Sequence, residues 1–163
     1  MHYLLMRDSI HGAMKEKILL DGQSLIYNGS TVRLLAGGKP GTVPWDALDV
    51  DLVIDSTGVY RLREELHPHL DSGASRILVS KPPSDEIDRI VIKGINHDKI
   101  QSSDKIISTT SSTTQVLALM LKVLDESFGV NRAMMTTVHA YTSDQPLADA
   151  VKSDLRRSRS AVE

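Results

Sequence analysis

Cysteine is absent from this sequence, which excludes disulfides, thiolate metal ligands and cysteine nucleophiles together. No apolar run is long enough to span a bilayer, and no basic-then-apolar leader opens the chain, so the expected location is the cytoplasm, with no membrane partner. A basic excess is missing too. The net charge of -2 and the pI near 6.3 argue against nucleic acid as a partner. Six histidines are present at positions 2, 11, 67, 69, 97 and 139, without HExxH-type spacing, and no metal site is expected. Internal repeats, low-complexity tracts and flexible linkers are lacking as well. What remains is 163 residues of ordinary globular composition, enough for roughly one domain with a real core.

Along the chain, the segment Met1 to Arg7, apolar at Tyr3, Leu4, Leu5 and Met6, reads as the last turns of a helix. Lys17 to Leu20, Ser24 to Tyr27 and Thr31 to Leu35 are short β-prone runs separated by Asp21-Gly22 and Asn28-Gly29, the dipeptides of tight hairpins, so a three-stranded antiparallel meander is expected. Asn28-Gly29-Ser30 is formally a glycosylation acceptor and reads here as a turn. After a Gly- and Pro-rich loop and a helical turn at Pro44 to Leu48 the style changes. Val50 to Ile54, Arg76 to Ser80, Arg89 to Ile92 and Lys105 to Ser108 are apolar strands, and Arg61 to Leu70 has helical spacing. This alternation predicts parallel βαβ units in an open α/β sheet. Ligands bind such sheets beyond the carboxyl ends of the strands. Three strands end there in small or hydroxyl residues: Ser56-Thr57-Gly58, Ser80, and Ser108 to Thr114. Caps and turns use the same residue types, and the two uses are compatible.

The stretch Ser108 to Phe128 couples a hydroxyl run to an apolar helix. Val116, Leu117, Leu119, Met120, Leu121, Val123 and Leu124 leave only Lys122, Asp125 and Glu126 polar on one face, which predicts a helix buried on most sides and stopped by Gly129. At its other end the hydroxyls supply N-cap side chains beside the free amides of the dipole's positive end. Beyond the helix, Ala133 to Val138 is a further β-prone run that delivers His139, and Ala140 onward reads as extended loop.

Seven landmarks in order make a family resemblance. They are Asp8-Ser9 with His11-Gly12; Val53 to Tyr60 (VIDSTGVY); Ala74 to Pro82 (ASRILVSKP); Gly94-Ile95-Asn96-His97; Ser111 to Thr114; Met135 to Thr142 (MTTVHAYT); and Asp154 to Arg159 (DLRRSR). Together they resemble the glyceraldehyde-3-phosphate dehydrogenases, with erythrose-4-phosphate dehydrogenases as close relatives. The resemblance implies a Rossmann-type dinucleotide-binding domain carrying an inserted antiparallel hairpin region over residues 1–111, lacking its first βαβ, followed by the start of an α+β catalytic domain over 112–163. It implies NAD or NADP as cofactor, a small phosphorylated aldehyde and inorganic phosphate as ligands, and an oligomer, in the family a homotetramer. Ser56, Thr57, Gly58 and Ser80 would line the cofactor; Ser111 and Thr113 would meet the incoming phosphate and Thr142 the substrate's own phosphate. His139 would be the general acid/base, and Asp144 to Arg159 a loop beside a neighbouring subunit's cofactor.

Two departures bear on activity. Ser112 stands where the family keeps its nucleophilic cysteine, and Thr109, Thr110 and Gln115 also differ from the family's usual residues. A hydroxyl ionises far above a thiol, whose pKa is about 8.5, and it forms an oxygen ester less open to phosphate than a thioester. The glycine-rich turn GxGxxG occurs nowhere in the sequence, so a parallel sheet with an unpaired edge is expected, leaning on another chain. The expected function is therefore that of a glyceraldehyde-3-phosphate dehydrogenase relative inactive by itself. The alternatives are a non-enzymatic oligomer partner or scaffold, and a weak hydrolase using Ser112 and His139.

Overall fold

The structure is a computed structural model that describes residues 2–142, 145–151 and 155–162. The chain divides into two compact units, Met1–Glu126 and Ser127–Glu163. The first unit opens with helix α1 (His2–Met6) and the two-residue strands β1 (Arg7–Asp8) and β2 (Gly12–Ala13), paired antiparallel. The turn between them is held by the Asp8 carboxylate, whose Oδ1 accepts from the amides of Ile10 at 2.8 Å and His11 at 2.7 Å.

The predicted meander is present. Strands β3 (Leu19–Asp21), β4 (Ser24–Tyr27) and β5 (Ser30–Arg33) pair antiparallel in sequence order. Asn28 and Gly29 take φ of 48° and 77° at the second turn, the left-handed pair that a two-residue hairpin requires and that Asn and Gly tolerate. Asp46–Leu48 forms a single 3-10 turn.

Strands β6 (Leu52–Asp55), β7 (Arg76–Val79), β8 (Arg89–Ile90) and β9 (Ile106–Ser108) build a wholly parallel sheet in the order β6-β7-β9-β8. This is the open α/β sheet expected from the alternation. The expected helix over Arg61 to Leu70 is two short helices, α2 (Arg63–Leu66) and α3 (Pro68–Asp71), because Pro68 cannot donate to the preceding turn and restarts the helix at its first position. They cover one face of the sheet, where Leu66, Ile77, Val79, Ile87 and Ile106 form the core with Tyr60 and Leu70 packed against it. On β6 burial alternates: Val53 and Asp55 point inward while Leu52 and Ile54, 46% and 61% exposed, stand on the other face.

Helix α4 (Ser112–Phe128) follows β9 directly. Its predicted burial on most sides is not found. None of its residues is buried, and Val116, Met120 and Val123 are 57%, 57% and 62% exposed. Helix α4 instead touches the rest of the first unit at Gly94: Lys122 Nζ donates to the Gly94 carbonyl at 2.7 Å, and Leu119 lies beside Gly94.

In the second unit, the run Ala133 to Val138 is not a strand. Its β-propensity finds no ladder partner among the described residues, and propensity without pairing does not make a strand. Leu155–Ser158 is a 3-10 turn where extended loop was expected. Asp144 and Asp154, both within the expected cofactor-side loop, lie outside the described residues. Among the described residues no helix is long and apolar enough to cross a membrane.

Candidate functional site

The parallel register brings the strand ends into one row. Asp55 pairs with Val79, Val79 with Ser108, and Ser108 with Ile90. The segments that leave this row form a common rim at the carboxyl edge, and Ser56, Thr57, Gly58 and Ser80 all lie on it. Next to β6 the buried Asp55 carboxylate organises the turn: its Oδ1 accepts from the Thr57 amide at 2.9 Å and the Thr57 hydroxyl at 2.7 Å. Thr57 Oγ1 in turn accepts from the Val59 amide at 3.2 Å. Gly58 then takes φ of 72°, a conformation that favours glycine. A Cβ there would lie 2.8 Å from Lys81 Cε and 3.0 Å from Lys81 Nζ, so the end of the Lys81 side chain crosses directly over Gly58. The Ser80 amide donates to the Asp55 carbonyl at 3.0 Å, which ties the two turns together and leaves the hydroxyls of Ser56 and Ser80 exposed.

The next segment joins the rim to α4. Ser108 is fully buried. Its hydroxyl donates to the Lys81 carbonyl at 2.7 Å and accepts from the Thr110 amide at 2.9 Å. The Thr109 amide donates to the Val79 carbonyl at 3.0 Å. Thr110 has φ of 59°, the left-handed step that turns the chain from strand into helix. Ser111 is the cap: its Oγ accepts from the Thr114 amide at 3.1 Å and lies 2.7 Å from Thr114 Oγ1. Gln115 folds back, its Nε2 donating to the Thr109 carbonyl at 2.8 Å. Ser112 is the first residue of α4 and is exposed, with Thr113 half-buried beside it. The hydroxyl run therefore serves as turn and cap at Ser108 and Ser111, and presents Ser112 at the helix N-terminus.

The expected site residues fall into two sets. Ser56, Thr57, Gly58, Ser80, Ser111, Ser112 and Thr113 belong to the first unit, the first four on the rim and the last three at the start of α4. His139 and Thr142 belong to the second unit: His139 is exposed in irregular chain, and Gln145 Oε1 accepts from the Thr142 amide at 2.6 Å and the Thr142 hydroxyl at 2.9 Å. Sequence reasoning missed Asp55 and Lys81. Asp55 carried a signal, since an aspartate two residues before a threonine in a strand-ending turn is an Asx-turn pattern. Lys81 carried none, because its path over Gly58 depends on the register of two strands.

At the opposite, amino edge the charges are paired. Asp88 binds the Arg63 guanidinium through Oδ1, and its Oδ2 accepts from the amides of Lys105 at 2.7 Å and Ile106 at 2.8 Å. Burial of this carboxyl acts to raise its pKa; Arg63 and the two amides outweigh that and hold it below the ordinary value. Asp104 takes the Arg89 guanidinium through both oxygens and the Gln101 amide at 2.8 Å, contacts that likewise lower its pKa.

Two family descriptions match this chain: "Glyceraldehyde 3-phosphate dehydrogenase, NAD binding domain" over residues 1–63, and "Glyceraldehyde 3-phosphate dehydrogenase, C-terminal domain" over residues 111–163. Among curated proteins, the glyceraldehyde-3-phosphate dehydrogenase of Priestia megaterium is 40% identical over 162 residues, covering 99% of this chain and 48% of that protein. The plasmid-encoded one of Cupriavidus necator is 39% identical over 160 residues, with 98% and 48% covered. The chain belongs to the glyceraldehyde-3-phosphate dehydrogenase family. It spans about half the length of the curated relatives it matches. The C-terminal match begins at Ser111, the cap of α4. The family's cofactor class, NAD or NADP, fits the rim in two respects: exposed hydroxyls stand at Ser56 and Ser80, and Gly58 lets groups approach the backbone without a Cβ in the way.

Proposed function

We propose that this chain carries the cofactor rim and the nucleophile-position helix of an NAD(P)-dependent phosphorylating glyceraldehyde-3-phosphate dehydrogenase, and that by itself it has negligible dehydrogenase activity. The observation that carries the reading is the continuity of β9, the left-handed Thr110, the Ser111 cap and Ser112 at the first turn of α4. That path sets Ser112 at a positive helix end. On this reading Ser56, Thr57, Gly58 and Ser80 line the cofactor, which accepts hydride from the aldehyde. Ser111 and Thr113 bind inorganic phosphate, Thr142 binds the phosphate of the aldehyde substrate, and His139 moves the proton. The helix N-terminus favours the developing oxyanion. Ser112 keeps the position and loses the chemistry, because its hydroxyl is scarcely ionised at neutral pH where a thiol is partly so.

The test is NADH formation, followed by absorbance, from glyceraldehyde 3-phosphate, phosphate and NAD or NADP. The parent chain is expected to stay at background. Saturable reduction by the parent would refute the inactivity.

A second reading, favoured by the exposed apolar side of α4, is that the chain works as a cytoplasmic subunit or scaffold in an oligomer with copies of itself or with full-length relatives. Co-elution with a full-length relative in sizing chromatography is expected on that reading, and separate elution rejects it.

A further inference from the structure

Lys81 has a defined place on the rim. Its backbone is anchored by the bond from the buried Ser108 hydroxyl to its carbonyl, 2.7 Å long. Its side chain runs from the end of β7 across to the turn after β6, where Cδ, Cε and Nζ lie 3.3, 2.8 and 3.0 Å from the point a Gly58 Cβ would occupy. Gly58 leaves that path clear, and its φ of 72° is a conformation that favours glycine. A half-buried lysine stem is thus laid along the mouth between two parallel strands, with its charge held over the turn that carries Ser56 and Thr57.

We propose that Lys81 is a phosphoryl-binding residue of this rim, its ammonium seated over Gly58 to meet a phosphate oxyanion. The cofactor reading of the rim underlies this assignment. An ammonium is a compact charge that binds phosphate without demanding a planar partner, and the carboxyl edge of a parallel sheet is where a phosphorylated ligand enters. The oxyanion comes from one of two sources, a dinucleotide or free inorganic phosphate, and the same chemistry serves both.

The experiment is titration of the full chain, by amide-resolved NMR or calorimetry, with NAD, NADP, inorganic phosphate and uncharged adenosine, at low and at raised salt. For the parent, the phosphorylated ligand that binds is expected to shift the Gly58 and Lys81 amides and to weaken as salt rises. Lys81→Met is expected to bind it about tenfold less tightly, as befits loss of a charged hydrogen bond, and with a shallower salt dependence. Lys81→Arg keeps the charge and is expected to recover most of the affinity, which separates lost charge from lost folding. Unchanged affinity in Lys81→Met overturns the assignment while leaving the cofactor reading intact. Lys81-dependent binding of phosphate with no dinucleotide binding keeps the assignment and removes the cofactor reading. If the parent binds none of the phosphorylated ligands, both fall.

Discussion

The two edges of the parallel sheet are built from the same strands and treat polar groups in opposite ways. At the amino edge Asp88 and Asp104 spend their oxygens on guanidinium groups and backbone amides next to buried β9. At the carboxyl edge the buried carboxylate of Asp55 and the buried hydroxyl of Ser108 are likewise engaged, but they support a layer of exposed hydroxyls at Ser56, Ser80 and Ser112. The amino edge spends its polar groups on holding the fold. The carboxyl edge uses a few buried polar groups to hold others out toward a ligand. Polar residues of one chain thus divide into those that lock and those that present, and burial together with partner count tells them apart.

The sharpest break in this contrast is Asp88→Ala. It strips a partly buried partner from Arg63 and leaves the Ile106 amide, at a fully buried residue, without its acceptor. A loss of about 2 kcal/mol is expected in chemical denaturation, and a loss below about 0.5 kcal/mol would mean that the amino edge is not the lock. The same carboxyl makes a pH signature. Its folded pKa lies below the ordinary value, so its stabilisation is complete above about pH 4 and is lost as pH falls through the folded value. The acid branch of the stability curve should flatten in Asp88→Ala.

Gly58→Ala comes next. The added Cβ sits at positive φ and against the Lys81 side chain; the strain should cost about 1 kcal/mol or somewhat more. A neutral result would show that the turn relaxes and that its shape is not fixed by glycine.

A smaller effect is expected at His69. The Trp45 indole donates to His69 Nδ1 at 3.1 Å, which requires the neutral ring protonated on Nε2. Burial lowers the His69 pKa, and the nearby Asp55 charge only partly offsets this. Below about pH 6.5 the unfolded chain therefore takes up a proton that the folded ring resists, and stability falls from there toward the folded pKa. Trp45 is the lone tryptophan, so its emission should change with a midpoint under pH 6.5, and His69→Gln should remove the step. A midpoint at or above 6.5 would contradict the burial argument.

Smallest of all, Ser56→Ala and Ser80→Ala should each stay within about 0.5 kcal/mol of the parent in thermal or chemical unfolding. Larger losses at either position would mean that the rim hydroxyls are part of the lock.

Much of this arrangement was legible in the residues. Apolar runs separated by helical spacing announced the parallel sheet, and Asp21-Gly22 with Asn28-Gly29 announced the meander, because these are local signals of period and turn chemistry. The strand-ending hydroxyls marked the rim for the same reason. The rest depended on distance in sequence. The two ion pairs join residues 25 and 15 positions apart, and no local pattern points from Arg63 to Asp88. The apolar surface of α4 read as buried because composition reports what a helix is suited to cover, whereas burial needs a partner element, and the core cluster is built without any residue of α4. Ala133 to Val138 failed as a strand for a related reason: pairing is a property of two segments, and one segment cannot disclose it.

The strand order has a consequence for assembly in time. Among the described residues strand β8 pairs with β9 alone, and β9 is inserted between β8 and β7. As the chain leaves the ribosome, β6 and β7 can pair at once, but β8 waits with both edges open until residues 106–108 emerge. Arg89 gains the buried Asp104 carboxylate as its partner in the same window. The sheet therefore closes from the middle and late, and the interval between synthesis of Arg89 and Ser108 is when the nascent chain is most open to pairing with a stranger.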